Sequence, residues 1–364
     1  MPQTTRAQLV LVELGGAAVC GGLYFKHRWS PWFDIGCAVA VVLLALAVVP
    51  LRGRWLYQVS LASIGFLLRR RSRSGTAGLA DFLGQYTVES VSGGVGHSSI
   101  GVVRSGTTWC LPLVLGLDGL LNDDPPVPVQ VLADLLHVED IPLSSVRLLT
   151  LTAPARVPAQ APAGPGAPLG PMAARYLLLT LDTHRAADAI AARGGSEAAV
   201  HQMLRRCAVH AEQVLSASRV GVRRIAESGV ESLFATWMGP SSSTGHRAQP
   251  AVESWGDVRM AGTWSTVFAV AGDGDDVADR VARLAAAAPT PLVATVLVLR
   301  PGEGGTPQAT VLVRLSSPDA SAPADAAKSL TLLAQAYDLS VERLGGEQGA
   351  FLRATTPVGA GELV

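Results

Sequence analysis

One pattern in this sequence occurs twice and constrains the fold more than any other feature. The stretch GVVRSGTTWCLPLVLG at Gly101–Gly116 returns as GDVRMAGTWSTVFAVA at Gly256–Ala271. Both stretches predict a β-hairpin, because short runs rich in β-branched and aromatic residues flank a turn. Five positions are identical at a constant offset of 155 residues: Gly101/Gly256, Val103/Val258, Arg104/Arg259, Thr108/Thr263 and Trp109/Trp264. We therefore expect two related halves, in which each tryptophan packs into a core and does not stack on a ligand.

The elements that follow each hairpin come in the same order. A helix, two strands, a second helix and a last strand are predicted in the first half from VQVLADLL, VRLLTLTA, RYLLLTLD, Glu197–Ser218 and VGVRRI. The second half offers Asp276–Ala287, PLVATVLVL, ATVLVRL, Ala324–Asp338 and LSVERL. This order predicts a duplicated ββαββαβ unit of the α/β class, joined by a helix near Ala226–Met238. Because hairpins give antiparallel neighbours and helical crossovers give parallel ones, we expect mixed sheets with packed helices.

Two apolar runs precede these halves. Leu9–Phe25 and Trp32–Val49 are separated by KHRWSP. At about 1.5 Å per helical residue, each run just reaches across a hydrocarbon core of about 30 Å. We predict a transmembrane hairpin rather than a cleaved signal peptide, because a second run follows the first at once. Arginines crowd the flank after the second run, so the positive-inside rule places both termini and the main domain in the cytoplasm of a multi-pass membrane protein.

The segment after the second run is basic and apolar. Trp55–Arg71 is interpreted either as an amphipathic stretch along the inner membrane surface or as a helix continuing from the membrane. Glu13, inside the first run, is expected to snorkel to the headgroups or to contact a partner helix, and a functional carboxylate is the alternative. Small residues in the first run predict close helix approach to a partner, and basic residues after it predict contact with anionic lipid. The predicted contact residues are Gly15, Gly16, Gly21, Gly22, Arg69, Arg70, Arg71 and Arg73.

Composition and motifs exclude several function classes. The net charge of zero gives no electrostatic footprint for nucleic acid. The four cysteines lie far apart without a CxxC pair, which argues against a zinc site or a disulfide framework. The chain contains no GxxxxGK[ST] motif, so ATP hydrolysis is not expected. The seven histidines include no HExxH motif and no pair at metal spacing with a carboxylate, and His201 and His210 are expected to be solvated. No catalytic, cofactor or metal residue is predicted.

Two acidic clusters leave an enzymatic alternative open. NDDPP at Asn122–Pro126 and DGDD at Asp273–Asp276 each lie where a helix is predicted to begin. Carboxylates at these positions are expected to cap free N–H groups. The alternative is a divalent-metal site for a sugar diphosphate in a membrane-bound glycosyltransferase-like enzyme acting on lipid-linked sugars. Its ligands would be Asp123, Asp124, Asp273, Asp275 and Asp276.

These features together resemble a known family. The two-span hairpin, RGRWLY, GHSSIGVVRSGTTWCLPLVL and RYLLLTLDTHRAADAIAARGGSEAAV are similar to EccE, a membrane component of the type VII (ESX) secretion systems of actinobacteria. The resemblance covers about Leu9–Ile225, and the second half follows more loosely. It implies a non-catalytic subunit beside EccB, EccC and EccD in the inner membrane, with a cytoplasmic domain similar in fold to glycosyltransferases. It implies no cofactor, no small-molecule substrate and no catalytic residues.

The sequence thus predicts a structural subunit that supports assembly and protein export. The predicted divisions are a transmembrane hairpin, a basic interfacial segment, a first cytoplasmic half with a Pro/Ala-rich loop at 153–171, a connecting helix and linker, and a second half. Their boundaries are 1–52, 53–75, 76–226, 227–250 and 251–364.

Overall fold

The structure is a computed structural model with two compact units, Met1–Ser74 and Gly75–Val364. It describes residues 10, 12–17, 19–20, 31–51, 54–72, 85–92, 99–116, 127–153, 172–238, 251–260, 262–273, 276–319 and 322–357.

The first unit contains short helical stretches and two longer helices. Residues 12–17 and 19–20 are helical, followed by α1 (Pro31–Val48). Two-residue strands β1 (Pro50–Leu51) and β2 (Arg54–Trp55) then pair antiparallel and lead into α2 (Leu56–Ser72). The predicted segment Trp55–Arg71 is therefore helical from Leu56 onwards, and its helix is separate from α1 because β1 and β2 lie between them.

The predicted membrane hairpin has no structural support. Trp32–Val49 largely coincides with α1, whereas Leu9–Phe25 lies partly outside the described residues. None of the helices that the structure describes is both long enough and apolar enough to cross a membrane.

The second unit repeats one order of elements. Its first half contains β3 (Thr87–Val91), β4 (Ile100–Ser105), β5 (Thr108–Leu115), α3 (Val129–Asp134), a small hairpin of β6 (His137–Val138) and β7 (Ile141–Pro142), β8 (Ser145–Ala153), β9 (Met172–Asp182), α4 (Ala187–Ala191), α5 (Glu197–Ala217), β10 (Val222–Arg224) and α6 (Glu227–Met238). Its second half contains β11 (Val252–Glu253), β12 (Val258–Met260), β13 (Thr263–Ala271), α7 (Val277–Ala287), β14 (Leu292–Arg300), a 3₁₀ turn (Glu303–Gly305), β15 (Gln308–Ser317), α8 (Ala322–Ala336), β16 (Ser340–Arg343) and α9 (Gln348–Ala354).

Both halves contribute to one twelve-stranded sheet. Its main path runs β11-β12-β13-β15-β14-β8-β9-β5-β4-β3, and β16 and β10 lie beside β13 and β5. All the ladders in this sheet are antiparallel, so the predicted mixed sheet is wrong. The reason is that each helical crossover does join parallel strands, but an antiparallel strand lies between them. In the first half β9 separates β5 from β8, and β5 separates β9 from β10.

Each half therefore has the split βαβ arrangement of a ferredoxin-like fold, extended by a hairpin at one edge and a helix at the end. The glycosyltransferase-like fold implied by the resemblance is not supported, since doubly wound nucleotide-binding folds use mostly parallel strands.

Strand register confirms the duplication. Arg104 pairs with Trp109 across the first hairpin, and Arg259 pairs with Trp264 across the second. The two halves meet where β8 pairs with β14, and Leu149 lies opposite Val296. Ser145 of β8 pairs with Thr180, and in the same way Leu292 of β14 pairs with Ser316. Leu149 and Val296 each lie four residues further along these strands, so they occupy equivalent positions in the two halves. The junction thus has an approximate two-fold relation centred on this pair.

The helix ends repeat as well. Arg219 follows α5 with φ 61°, and Asp338 follows α8 with φ 53°. The next residue in each half donates its N–H back to the helix, Val220 to the carbonyl of Leu215 at 2.9 Å and Leu339 to the carbonyl of Ala334 at 2.8 Å. Left-handed residues commonly end helices in this way, although glycine is the usual choice.

Alternation along the strands divides the core between the two faces of the sheet. In β5, Leu111, Leu113 and Leu115 contribute to a cluster with α5, whereas Cys110 and Val114 contribute to the cluster that contains residues of α6. The latter cluster also takes residues from the second half, including Val267 of β13 and Leu352 of α9. One face of the sheet therefore has a core shared by both halves.

The repeated glycine of the hairpin provides a matched test of packing. A Cβ at Gly101 would lie 2.8 Å from the backbone nitrogen of Glu227 and 2.7 Å from a methyl carbon of Val230. At Gly256 the atoms met belong to the flexible guanidinium of Arg343. We expect Gly101→Ala to lower the free energy of unfolding by about 1–3 kcal/mol and Gly256→Ala to lower it less, because backbone cannot yield as a side chain can. Thermal unfolding of both variants checks this, and equal losses would contradict it.

Candidate functional site

The glycines predicted to contact a partner helix differ in their surroundings. Gly15 is buried, and a Cβ there would lie 3.7 Å from the carbonyl oxygen of Ala40 and 3.9 Å from Cβ of Leu43. Gly16 is exposed, with no atom within 4 Å of its Cβ position. Gly15 therefore serves contact with α1 of the same chain, and Gly16 remains available to a partner. Gly21 and Gly22 lie outside the described residues.

Apolar side chains cover the outer surface of the first unit. Leu61, Ile64 and Leu67 recur every three residues on α2 and are each more than half exposed. Tyr57 and Phe66 of the same helix are buried. Other exposed apolar side chains are Val10, Val12, Leu14, Val19, Ile35, Val39, Val41, Val42, Leu44, Val48 and Val49. A surface of this kind marks a site for lipid or for another protein.

The predicted basic residues lie at the end of α2. Arg69, Arg70 and Arg71 are helical residues in its last turn and a half, and Arg73 lies outside the described residues. The helix thus carries its predicted charge at the end that leads into the second unit along the chain. Glu13 is exposed.

The acidic loop before α7 binds an arginine. Asp276 occupies the N-cap position of α7 but makes no capping hydrogen bond with its side chain. The prediction that this carboxylate caps free N–H groups of the helix is therefore wrong. Its carboxylate instead lies 3.0 Å from the Arg280 guanidinium, which also donates to the carbonyls of Asp273 and Asp338. Arg280 thereby ties this loop to the turn after α8. Asp123, Asp124 and Asp275 lie outside the described residues.

Two buried arginines occupy the core that the halves share. Arg147 of β8 and Arg314 of β15 are each 1% exposed. Arg147 donates to the carbonyl of Ala354 at 3.2 Å and to that of Thr356 at 2.7 Å, at the C-terminus of α9. Arg314 donates to the carbonyl of Trp237, in the last turn of α6, and to the hydroxyl of Thr355 at 3.2 Å. Each arginine thus holds the end of the last helix of the opposite half.

Helix ends compensate these buried charges. Burial lowers the pKa of Arg147, and burial lowers that of Arg314 to about 10, because the charged guanidinium loses water. Within the described residues no carboxylate pairs with Arg314. Burial also raises the pKa of the nearby Cys110 thiol, so the sulfur stays protonated at neutral pH. The last carbonyls of a helix lack intrahelical donors and carry partial negative charge, which suits a buried cation.

Sequence reasoning missed both arginines. Each is a single charged residue within an otherwise apolar strand, in VRLLTLTA and ATVLVRL. A lone charged residue in an apolar strand indicates a buried polar contact. The sequence does not show which groups accept its hydrogen bonds, because Ala354 lies 207 residues from Arg147 and Trp237 lies 77 residues from Arg314.

A further cluster lies beside the first repeated hairpin. Arg104 stacks over Trp109 with 5.0 Å to the ring centroid. The same guanidinium lies 3.6 Å from a carboxylate oxygen of Glu89 and 3.5 Å from one of Glu197. His201 contacts Trp109 edge-on, with ring centroids 5.4 Å apart. Trp109 is buried, as predicted for a core residue, whereas His201 is half-buried and not simply solvated.

A stretch of the chain that includes α5, the helix of Glu197 and His201, matches a known family. Residues 172–270 match the family described as "Putative type VII ESX secretion system translocon, EccE". The predicted resemblance to EccE is confirmed.

The EccE match runs from β9 through α5, β10 and α6 into β13. It includes α6, whose Trp237 is one of the two helix ends that the buried arginines hold, but neither of the strands β8 and β14 that join the halves. Membership of a type VII secretion translocon is the function that this match supports. No curated protein matches the chain.

The link between a buried arginine and a helix end can be tested directly. We expect Arg147→Met to lower the free energy of unfolding by about 1–3 kcal/mol for each carbonyl left without a donor. Hydrogen exchange should increase at the amides of residues 354–356, which lose their anchor. Arg223→Met on β10 is the control, since Arg223 is exposed and such changes stay within about 0.5 kcal/mol. Equal exchange in both variants would rule out the proposed anchoring.

Proposed function

We propose that this chain is a non-catalytic structural subunit of the type VII (ESX) secretion complex of the inner membrane, where it supports assembly and protein export. The match of residues 172–270 to EccE carries this proposal. The partners implied by the resemblance are components of the EccB, EccC and EccD type.

The chemistry of the second unit supports a structural role. Charged side chains in its interior engage in holding the fold together. Arg147 and Arg314 hold helix ends, and Arg280 holds the loop that contains Asp273 and Asp276. Of the acidic residues in the glycosyltransferase alternative, Asp276 thereby pairs its carboxylate with a cation of the protein itself, and Asp273 accepts from the same guanidinium through its backbone carbonyl.

The surface of the first unit supports attachment to the membrane. We assign Met1–Ser74 to the membrane and its partner helices, and Gly75–Val364 to the cytoplasm. The exposed stripe of Leu61, Ile64 and Leu67 provides apolar area for lipid. Arg69, Arg70, Arg71 and Arg73 follow it in the sequence, and each basic residue near anionic lipid adds about 1 kcal/mol of binding.

Gly16, with Gly21 and Gly22, is assigned to the contact with a partner helix. Small residues allow helix backbones to approach closely, and association in a membrane depends on such packing. Gly15 has a different role, because it meets α1 of the same chain.

The two glycines give a direct test of complex assembly. Gly16→Leu should leave the chain folded and inserted but remove it from the complex with EccB-, EccC- and EccD-type proteins. Gly15→Leu should instead lower the thermal stability of the chain, because leucine would meet Ala40 and Leu43. Both variants are purified in mild detergent through a tag, and the co-purifying proteins are identified by mass spectrometry. If Gly16→Leu co-purifies with the intact complex, the partner contact lies elsewhere.

The orientation is tested by labelling in intact spheroplasts. In a chain without its own cysteines, Lys26→Cys in the KHRWSP turn should react with an impermeant thiol reagent added outside. Lys328→Cys on α8 should react only after lysis, although its side chain is 81% exposed. Labelling of Lys328→Cys before lysis would place the second unit outside the cytoplasm.

A further inference from the structure

We infer that Glu89, Glu197 and His201 form a binding site for a divalent transition metal ion. Each residue offers one ligand atom, and these atoms all lie within 4.8 Å of one another. Glu197 and His201 are one turn apart on α5, and Glu89 reaches them from β3. Sequence spacing could not show this site, because Glu89 is more than a hundred residues from its partners.

The imidazole of His201 supports a ligand role. Its Nε2 atom is buried and has no hydrogen-bond partner among the described residues. The closest carboxylate oxygen, from Glu197, is 3.8 Å away, which is too far for a hydrogen bond. The edge-on contact with Trp109, at an interplanar angle of 77°, restricts the ring. A buried nitrogen that faces two carboxylates without bonding to either is suited to share a cation with them.

The donor set selects the class of ion. One imidazole nitrogen and two carboxylate oxygens, without a thiolate, suit Zn²⁺ and related first-row ions. Zinc bonds of about 2.0–2.2 Å place tetrahedral ligands roughly 3.3–3.6 Å apart, so the widest separation, of up to 4.8 Å, has to contract by up to about 1.5 Å. Rotation of the Glu89 and Glu197 side chains, which are 26% and 54% exposed, has to supply this movement.

Arg104 is the competitor for this site. Its guanidinium stands 3.5–3.6 Å from both carboxylates and neutralises them when no metal is bound. In the second half, Arg259 stacks over Trp264 at 5.6 Å in the same way, while Ser254 stands at the position of Glu89. The arginine–tryptophan pair therefore forms without a carboxylate at the position of Glu89, and Arg104 can keep its stacking on Trp109 when a metal binds the two glutamates.

Zinc titration of the full chain in detergent tests the site. The chain carries a tag without histidine, and binding is followed by calorimetry with Zn²⁺ and by the visible absorption of bound Co²⁺. We expect one ion per chain, and Glu89→Gln, Glu197→Gln and His201→Ala should each weaken binding about tenfold or more. His210→Ala, on the same helix, should leave the affinity unchanged. Circular dichroism confirms that each variant is folded, and the exposed Glu197 keeps the test informative if His201→Ala unfolds.

Arg104→Gln separates the two interpretations of the cluster. If the glutamates and the histidine form a metal site, removing the competing cation should raise the Zn²⁺ affinity. If neither the natural chain nor Arg104→Gln binds Zn²⁺, or if the ligand variants bind as well as His210→Ala, the inference is overturned and the cluster is an ion-pair network around Arg104. The measurement uses the purified chain, so its outcome is independent of assembly into a secretion complex.

Discussion

The hydrogen bonds from two buried guanidinium groups to helix ends are the interaction on which the second unit depends. Moving a charged group out of water costs several kcal/mol, and the carbonyls at a helix C-terminus offset part of this cost. Arg147 lies in the first half and holds the end of α9 in the second, whereas Arg314 lies in the second half and holds the end of α6 in the first. Each half therefore supplies a contact that the other needs to fix its last helix.

This exchange explains why two repeated units form one sheet. A ferredoxin-like half has an open edge at the strand that follows its first helical crossover. This strand is β8 in one half and β14 in the other. These edges pair with each other around Leu149 and Val296, so neither is left as an open edge. The helices α6 and α9 then cover a core that extends across the junction. The two halves are alike in topology but differ in chemistry, since Ser254 stands in the second half at the position that Glu89 occupies beside Arg104.

Local sequence patterns predicted much of this structure because they depend on neighbours in the chain. The repeated hairpin, the strands VRLLTLTA and PLVATVLVL, and the helix at Glu197–Ser218 all follow from periodicity. The direction of the strands joined by each crossover also followed. Strand order did not, because periodicity shows that a strand is buried but does not name its neighbour, and so the insertion of β5 and β9 between parallel strands was missed.

The sequence alone determined that the chain contains a duplicated unit preceded by an apolar and basic segment, since identities at a fixed offset and hydrophobic runs are visible without coordinates. The tertiary structure alone decided which charged residues matter. Arg147 becomes a helix anchor, Gly15 an internal contact, and Glu89 a neighbour of His201 only when distant segments meet. The physical reason is that the cost of a buried charge and the affinity of a ligand set both depend on separations in space, which chain spacing does not record.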